Sequence, residues 1–147
     1  MYFTYIEEYI FNLYKLLSID SWDQLSVEQI AKELGVEVNY SNFSMSYNET
    51  IFLTKSTEER EWQQFGHEMC HYLRHSGNQT SMHPLFIELQ EYQADYFAYH
   101  FCVPTFMLEN LYNCSIHNIM RLFNVEYEFS RRRLEIHKSK QNEWSII

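Results

Sequence analysis

"FGHEMCHYLRH", residues Phe65 to His75, repeats histidine at intervals of four, with a glutamate after the first. Residues i and i+4 share one face of an α-helix, so His67 and His71 can direct both imidazoles at one ion. Zinc accepts neutral imidazole nitrogen at about 2.0–2.1 Å. Glu68 follows the first histidine, so it projects beside such an ion, where a carboxylate can take a proton from an activated water. His75 lies one turn further, about 6 Å along the axis. It is expected to anchor the helix end or contact substrate rather than bind the ion. Cys70 points to another face and reads as a small packing residue, with a redox-sensitive thiol as the alternative.

The motif needs a second element, because a chain this rich in His and Glu contains HExxH by chance roughly 4% of the time. Two core helices with polar stripes facing water would give the same pattern. The second element is "EYQAD", Glu91 to Asp95. Catalytic zinc commonly has three protein ligands, and two histidines with a glutamate form one such set. A helix, the loop "SGNQTSMHP" (76–84) and a second helix can return Glu91 to the ion. Asp95, one turn later, can orient a ligand histidine by accepting from its other nitrogen. Glu88, Glu91 and Asp95 form an acidic stripe whose repulsion costs about 0.2–0.5 kcal/mol per pair, and a cation would offset it. His83, His100, His117 and His137 have no ligand-like spacing.

The surrounding composition suits one ordered, helix-rich domain. Apolar residues make up 46% of the 147, and Gly and Pro number three and two, too few for a flexible linker. A net charge of −9 does not suit a phosphate backbone. The one basic run, Arg131 to Arg133, reads as a solvated helix face. Three cysteines without a CxxC pair argue against a disulfide framework and make a reducing cytoplasm the expected compartment. The apolar start carries Glu7 and Glu8, so neither a signal peptide nor a membrane span is expected.

Periodicity gives an α+β fold that is mostly helical. Helices are expected at 4–17, then from Ser26 to Gly35, from near Ser56 to about His75, and from Leu85 to Cys102. Ser26 with Gln29 and Ser56 with Glu59 read as capping boxes. Shorter helices follow near 105–112, 115–123 and 126–137. Strands at 36–40, 43–47 and 50–54 make a small, three-stranded, mainly antiparallel sheet packed on the HExxH helix. The single domain, 1–147, then divides into N-terminal helices and sheet (1–55), metal-site helices (56–103) and C-terminal helices (104–147).

"EREWQQFGHEMCHYLRH" followed by "EYQADYFAYHFCVP" resembles the ImmA/IrrE family of zincin-type metallopeptidases. Arg60, Phe65, Tyr72 and His75 fill the family's places around HExxH. Glu91, Ala94, Asp95, Phe97, Ala98 and Pro104 fill those of its second signature. "IMRLFNVEYEFSRRRL" is similar to its closing segment, so the resemblance spans about Leu53 to Leu134. Cys70 stands where Gly is usual, and Asp95 where Asn is common. The resemblance implies a zincin-like domain with one Zn2+ per chain. It also implies a phage or mobile-element anti-repressor that cleaves a helix-turn-helix immunity repressor.

The expected chemistry is endopeptidase action, with His67, His71 and Glu91 as ligands, Glu68 as general base and Asp95 behind a ligand. The second oxyanion donor is left among Tyr92, Tyr96, His75 and His100. A substrate strand would lie along a sheet edge, such as that of 50–54. Two other functions compete. A metal-stabilised partner could bind the repressor without cutting it, with a fourth protein ligand such as His75 or Asp95 closing the site. The C-terminal helices have a helix-turn-helix cadence, but Glu126 and Glu128 open the second helix, so direct nucleic-acid binding is not expected.

Overall fold

The computed structural model describes residues 3–74 and 84–146. Its elements are α1 (Tyr5–Leu16), a 3-10 turn (Trp22–Gln24), α2 (Val27–Leu34), β1 (Glu37–Tyr40), β2 (Met45–Tyr47) and β3 (Thr50–Leu53). They continue with α3 (Glu58–Arg74), α4 (Pro84–Cys102), α5 (Thr105–Leu108), α6 (Ile116–Phe123) and α7 (Tyr127–Ile146). The fold is α+β, with helices dominating. His75 and His83 lie outside the described residues.

Local caps set most of the boundaries. Ser26 Oγ accepts from the Gln29 amide at 3.1 Å, and Gly35 ends α2 in the left-handed region at φ 69°. At α3 the cap is Thr57 rather than Ser56. Thr57 Oγ1 accepts from the Arg60 amide at 3.2 Å, while the Ser56 amide donates to the Glu61 carboxylate at 3.0 Å. Helix α7 runs on to Ile146, well beyond the expected end near 137.

The sheet is mixed rather than mainly antiparallel. β3 lies in the middle, β2 pairs with it antiparallel and β1 parallel. A tight turn at Asn48, φ 56°, folds β2 back onto one edge of β3. The chain also reverses between β1 and β2, so β1 runs in the direction of β3 and takes its other edge. Both edges of β3 are therefore used, and β2 and β1 carry the open ones.

Helix α3 packs against β2 and β3 on one side and along α4 on the other. The Gln64 side chain clasps Thr54, accepting from its amide at 2.8 Å and donating to its carbonyl at 3.3 Å. Between α3 and α4, Trp62, Phe65, Phe97 and Phe101 form a buried aromatic cluster. Tyr14 of α1 closes it and donates to the Phe101 carbonyl at 2.6 Å. Gly66 permits the helices' close approach, since a Cβ there would sit 2.8 Å from Cys102 Sγ and 3.4 Å from Ala98 Cα.

The arginine run is not one solvated face. Arg131 and Arg132 reach Glu135 at the surface, at 2.8 and 3.8 Å. Arg133 is fully buried, donating Nε to the Val103 carbonyl and Nη2 to Thr105 Oγ1. Its position on α7 turns it inward, where the Val103 carbonyl just after α4 and the Thr105 hydroxyl receive it. Among the described residues no helix is long and apolar enough to cross a membrane.

Candidate metal centre

Seventeen residues of α3, uninterrupted by proline, hold His67 and His71 one turn apart on one face. Their rings stand edge to face, with centroids 5.1 Å apart. Helix α4 brings Glu91 to both. Glu91 Oε2 is 2.7 Å from His67 Nε2, and its Oε1 is 3.4 Å from His71 Nε2. One donor atom from each of the three lies within 4.8 Å of the others. A tetrahedral ion with bonds of about 2.05 Å sets its ligands about 3.4 Å apart, so a small contraction or expansion suffices to seat one.

Asp95 sits behind this group. Its Oδ1 is 2.8 Å from Nδ1 of His67, the nitrogen that faces away from Glu91. In a neutral ring Nδ1–H donates to Asp95, and the lone pair of Nε2 then points at the Glu91 carboxylate. A lone pair facing an anion at that distance calls for positive charge between them, from a proton or a metal ion. The electrostatics agree. Burial opposes an imidazolium at His67, yet the Asp95 hydrogen bond and the charges of Glu68 and Glu91 outweigh it and raise the pKa to about 9. The donor set, two imidazole nitrogens and a carboxylate, fits a divalent ion of the zinc type.

Glu68 is 4% exposed, and its Oε2 is 4.0 Å from His67 Nε2. Burial pushes its pKa up to about 7, aided by Glu91 and opposed by His67 and a hydrogen bond from Ser44. Cys70 is buried on another face, and burial pushes its thiol up to about 12.

A cleft of about 460 Å³ opens beside His67 and Asp95, with Ser44, Gln63, Tyr99 and Phe129 among its lining. Tyr92, Tyr96 and His100 do not line it. Tyr92 is exposed on a groove shared with Arg74, and His100 is buried behind α4 with Nδ1 on the Tyr96 carbonyl at 3.0 Å. Sequence reasoning passed over Ser44 and Tyr99. Tyr99 could have been found, because it continues the Glu91–Asp95 face of α4 by one turn. Ser44 immediately precedes β2 and carried no signal in the sequence. Glu126, at the head of α7, accepts from Arg60 Nε at 2.9 Å and Gln63 Nε2 at 3.0 Å. The start of that helix is thus tied to α3.

The sequence model of the Peptidase_M78 family, the IrrE N-terminal-like domain, matches residues 23–135. The chain belongs to this family. The match takes in α2 and the sheet as well as the helices of the metal centre, so it begins some 30 residues before Leu53. Membership of Peptidase_M78 makes the chain metallopeptidase-like. Phage-like element PBSX protein XkdA of Bacillus subtilis (strain 168) is 37% identical over 151 residues, covering 95% of this chain and 76% of the relative. YqaB of the same strain is 34% identical over 149 residues, covering 93% and 86%. No solved structure matches the chain.

Proposed function

We propose that this protein is a zinc-dependent endopeptidase that cleaves a helix-turn-helix repressor of a phage or mobile element. The observation that carries the metal chemistry is the convergence of His67, His71 and Glu91, with Asp95 fixing the His67 ring. The Peptidase_M78 match supports peptide hydrolysis, and the similarity to a phage-like element protein supports the setting. The repressor as substrate rests on the ImmA/IrrE resemblance.

A bound zinc ion supplies Lewis-acid polarisation and makes water acidic enough to lose a proton near neutrality. Glu68 Oε2, 4.0 Å from His67 Nε2 and shielded from solvent, takes that proton and returns it to the leaving amine nitrogen. Burial strengthens Glu68 as a base, and a hydrogen bond from Ser44 orients its carboxylate. An extended substrate segment adds to the open edge of β2, which begins one residue after Ser44 in the cleft wall. β3 has no free edge to offer. Tyr99, in the cleft wall, is the candidate oxyanion donor. Asp95 is engaged on the outer nitrogen of His67, so it would orient that ring rather than act as a fourth ligand.

The test is incubation of the zinc-loaded protein with the repressor encoded beside its gene. Discrete fragments that vanish when zinc is chelated support the proposal. An intact repressor that co-elutes with the zinc-loaded protein would instead mean binding without cleavage.

A further inference from the structure

Behind α4, away from the metal centre, a cavity of about 500 Å³ lies between α1, α4 and α7. Its walls include Glu7, Tyr96, His100, Arg132, His137 and Lys140. In a chain of net charge −9, this lining is cationic: Arg132, Lys138 and Lys140 face the carboxylates of Glu7 and Glu135.

The donors beneath the cavity are not all used. Arg133 and His137 lie one turn apart on the inward face of α7, with exposures of 0% and 6%. Arg133 spends Nε on Val103 and Nη2 on Thr105, and its Nη1 is buried without a partner among the described residues. His137 Nε2 stands 3.3 Å from Gln141 Nε2, an amide nitrogen that can only donate, so the ring nitrogen accepts. The proton of the neutral ring then resides on Nδ1, which is also buried without a partner among the described residues. Burial, with the charges of Arg133 and Lys140, lowers the His137 pKa to about 4 and keeps the ring neutral. His100 is committed differently, its Nδ1 donating to Tyr96, which leaves its Nε2 as an acceptor.

A buried N–H without an acceptor costs about 1–3 kcal/mol, and a stranded guanidinium N–H at least as much. The cost at His137, which lines the cavity, falls away if an acceptor-rich anion occupies it. The buried His137 donor in the wall and the cations at the rim select carboxylate or phosphate over a neutral or cationic molecule. The volume exceeds that of an inorganic ion, and Tyr96 and Ile136 supply wall for a carbon skeleton.

We propose that the α1–α4–α7 cavity binds a small organic anion, whose carboxylate or phosphate oxygens accept from Nδ1 of His137 while Lys138 meets them at the rim. The site is separate from the metal centre and requires nothing of the peptidase chemistry.

The zinc-loaded protein is titrated with inorganic phosphate and, in a second arm, with acetate, at constant ionic strength against chloride. Calorimetry and the 15N resonance of the His137 imidazole provide the readouts. Saturable binding that shifts the His137 Nδ1 signal is expected, and the arm that binds more tightly identifies the head group. His137→Phe keeps a ring but removes the donor, and should weaken binding by about tenfold or more. Lys138→Gln, at an exposed position, should weaken it several-fold and decides the matter if the first variant does not fold. Absence of saturable binding above the chloride control in both arms overturns the proposal. So does unchanged affinity in the folded variants.

Discussion

Asp95 Oδ1 holds Nδ1 of His67 at 2.8 Å, and that one contact turns the ring's other nitrogen onto Glu91 at 2.7 Å. The ligand face of His67 is therefore set by a residue that does not itself reach the ion. Asp95→Ala should leave three ligands in place but release the ring. Metal affinity, measured by competition with a chromophoric chelator, should fall by about 10–100-fold. Asp95→Asn retains an acceptor and should lose much less. Equal losses for the two would mean that the charge, not the hydrogen bond, matters.

Metal should also stabilise the fold, because His67, His71 and Glu91 join α3 to α4. A ligand held at a hundred times its dissociation constant contributes about 2.7 kcal/mol. For a domain of this size that raises Tm by about 5–10 °C. Thermal unfolding with zinc and with chelator measures the difference, and His71→Ala should abolish most of it.

Gly66 sets the spacing of the same two helices. Gly66→Ala gains about 1 kcal/mol in helix propensity. The new methyl meets Cys102 Sγ at 2.8 Å, and such overpacking costs about 1–3 kcal/mol. Net destabilisation in a urea titration is expected. Cys102→Ala in the same chain should recover part of it, since the methyl then fills the space the sulfur leaves. Strict additivity of the two changes would show that the contact is not felt.

Away from the metal centre, Glu7 governs acid sensitivity. Burial alone would raise its pKa, but hydrogen bonds from Lys140, Thr105 and Thr4 outweigh it and hold the value at about 2 against an ordinary 4.5. A carboxylate depressed in the fold stabilises above its unfolded pKa. That contribution, about 3 kcal/mol, is lost as pH falls from 4.5 towards 2. Glu7→Gln should lower Tm at pH 7 and flatten the dependence of Tm on pH in the acid range. A parallel acid decline in both proteins would contradict the assignment.

The readable parts of the sequence were those set by local chemistry. Ser26 and Gly35 bracket α2 because a hydroxyl cap and a left-handed glycine act within a few residues. His67, His71, Glu91 and Asp95 were legible because helical spacing puts each pair on one face, and the structure brings the two faces together. What stayed hidden depends on contacts remote in sequence. The parallel pairing of β1 with β3 follows from two chain reversals, which strand patterning does not record. The burial of Arg133, inside a run of three arginines, depends on the Val103 carbonyl and the Thr105 hydroxyl that follow α4. His100 lies only nine residues after Glu91, yet helix rotation carries it to the opposite side of α4, away from the cleft.

Metal-dependent cleavage through Glu68 is tested by the intact mass of a helix-turn-helix repressor from the same mobile element after incubation with zinc-loaded wild type and with zinc-loaded Glu68→Gln. Glu68 is not a ligand in this account, so the variant should keep its zinc. Wild type should give two fragments whose masses sum to the repressor plus one water, and the variant should leave the repressor whole. Fragments of the same mass and rate from the variant, or none from zinc-loaded wild type, would contradict it.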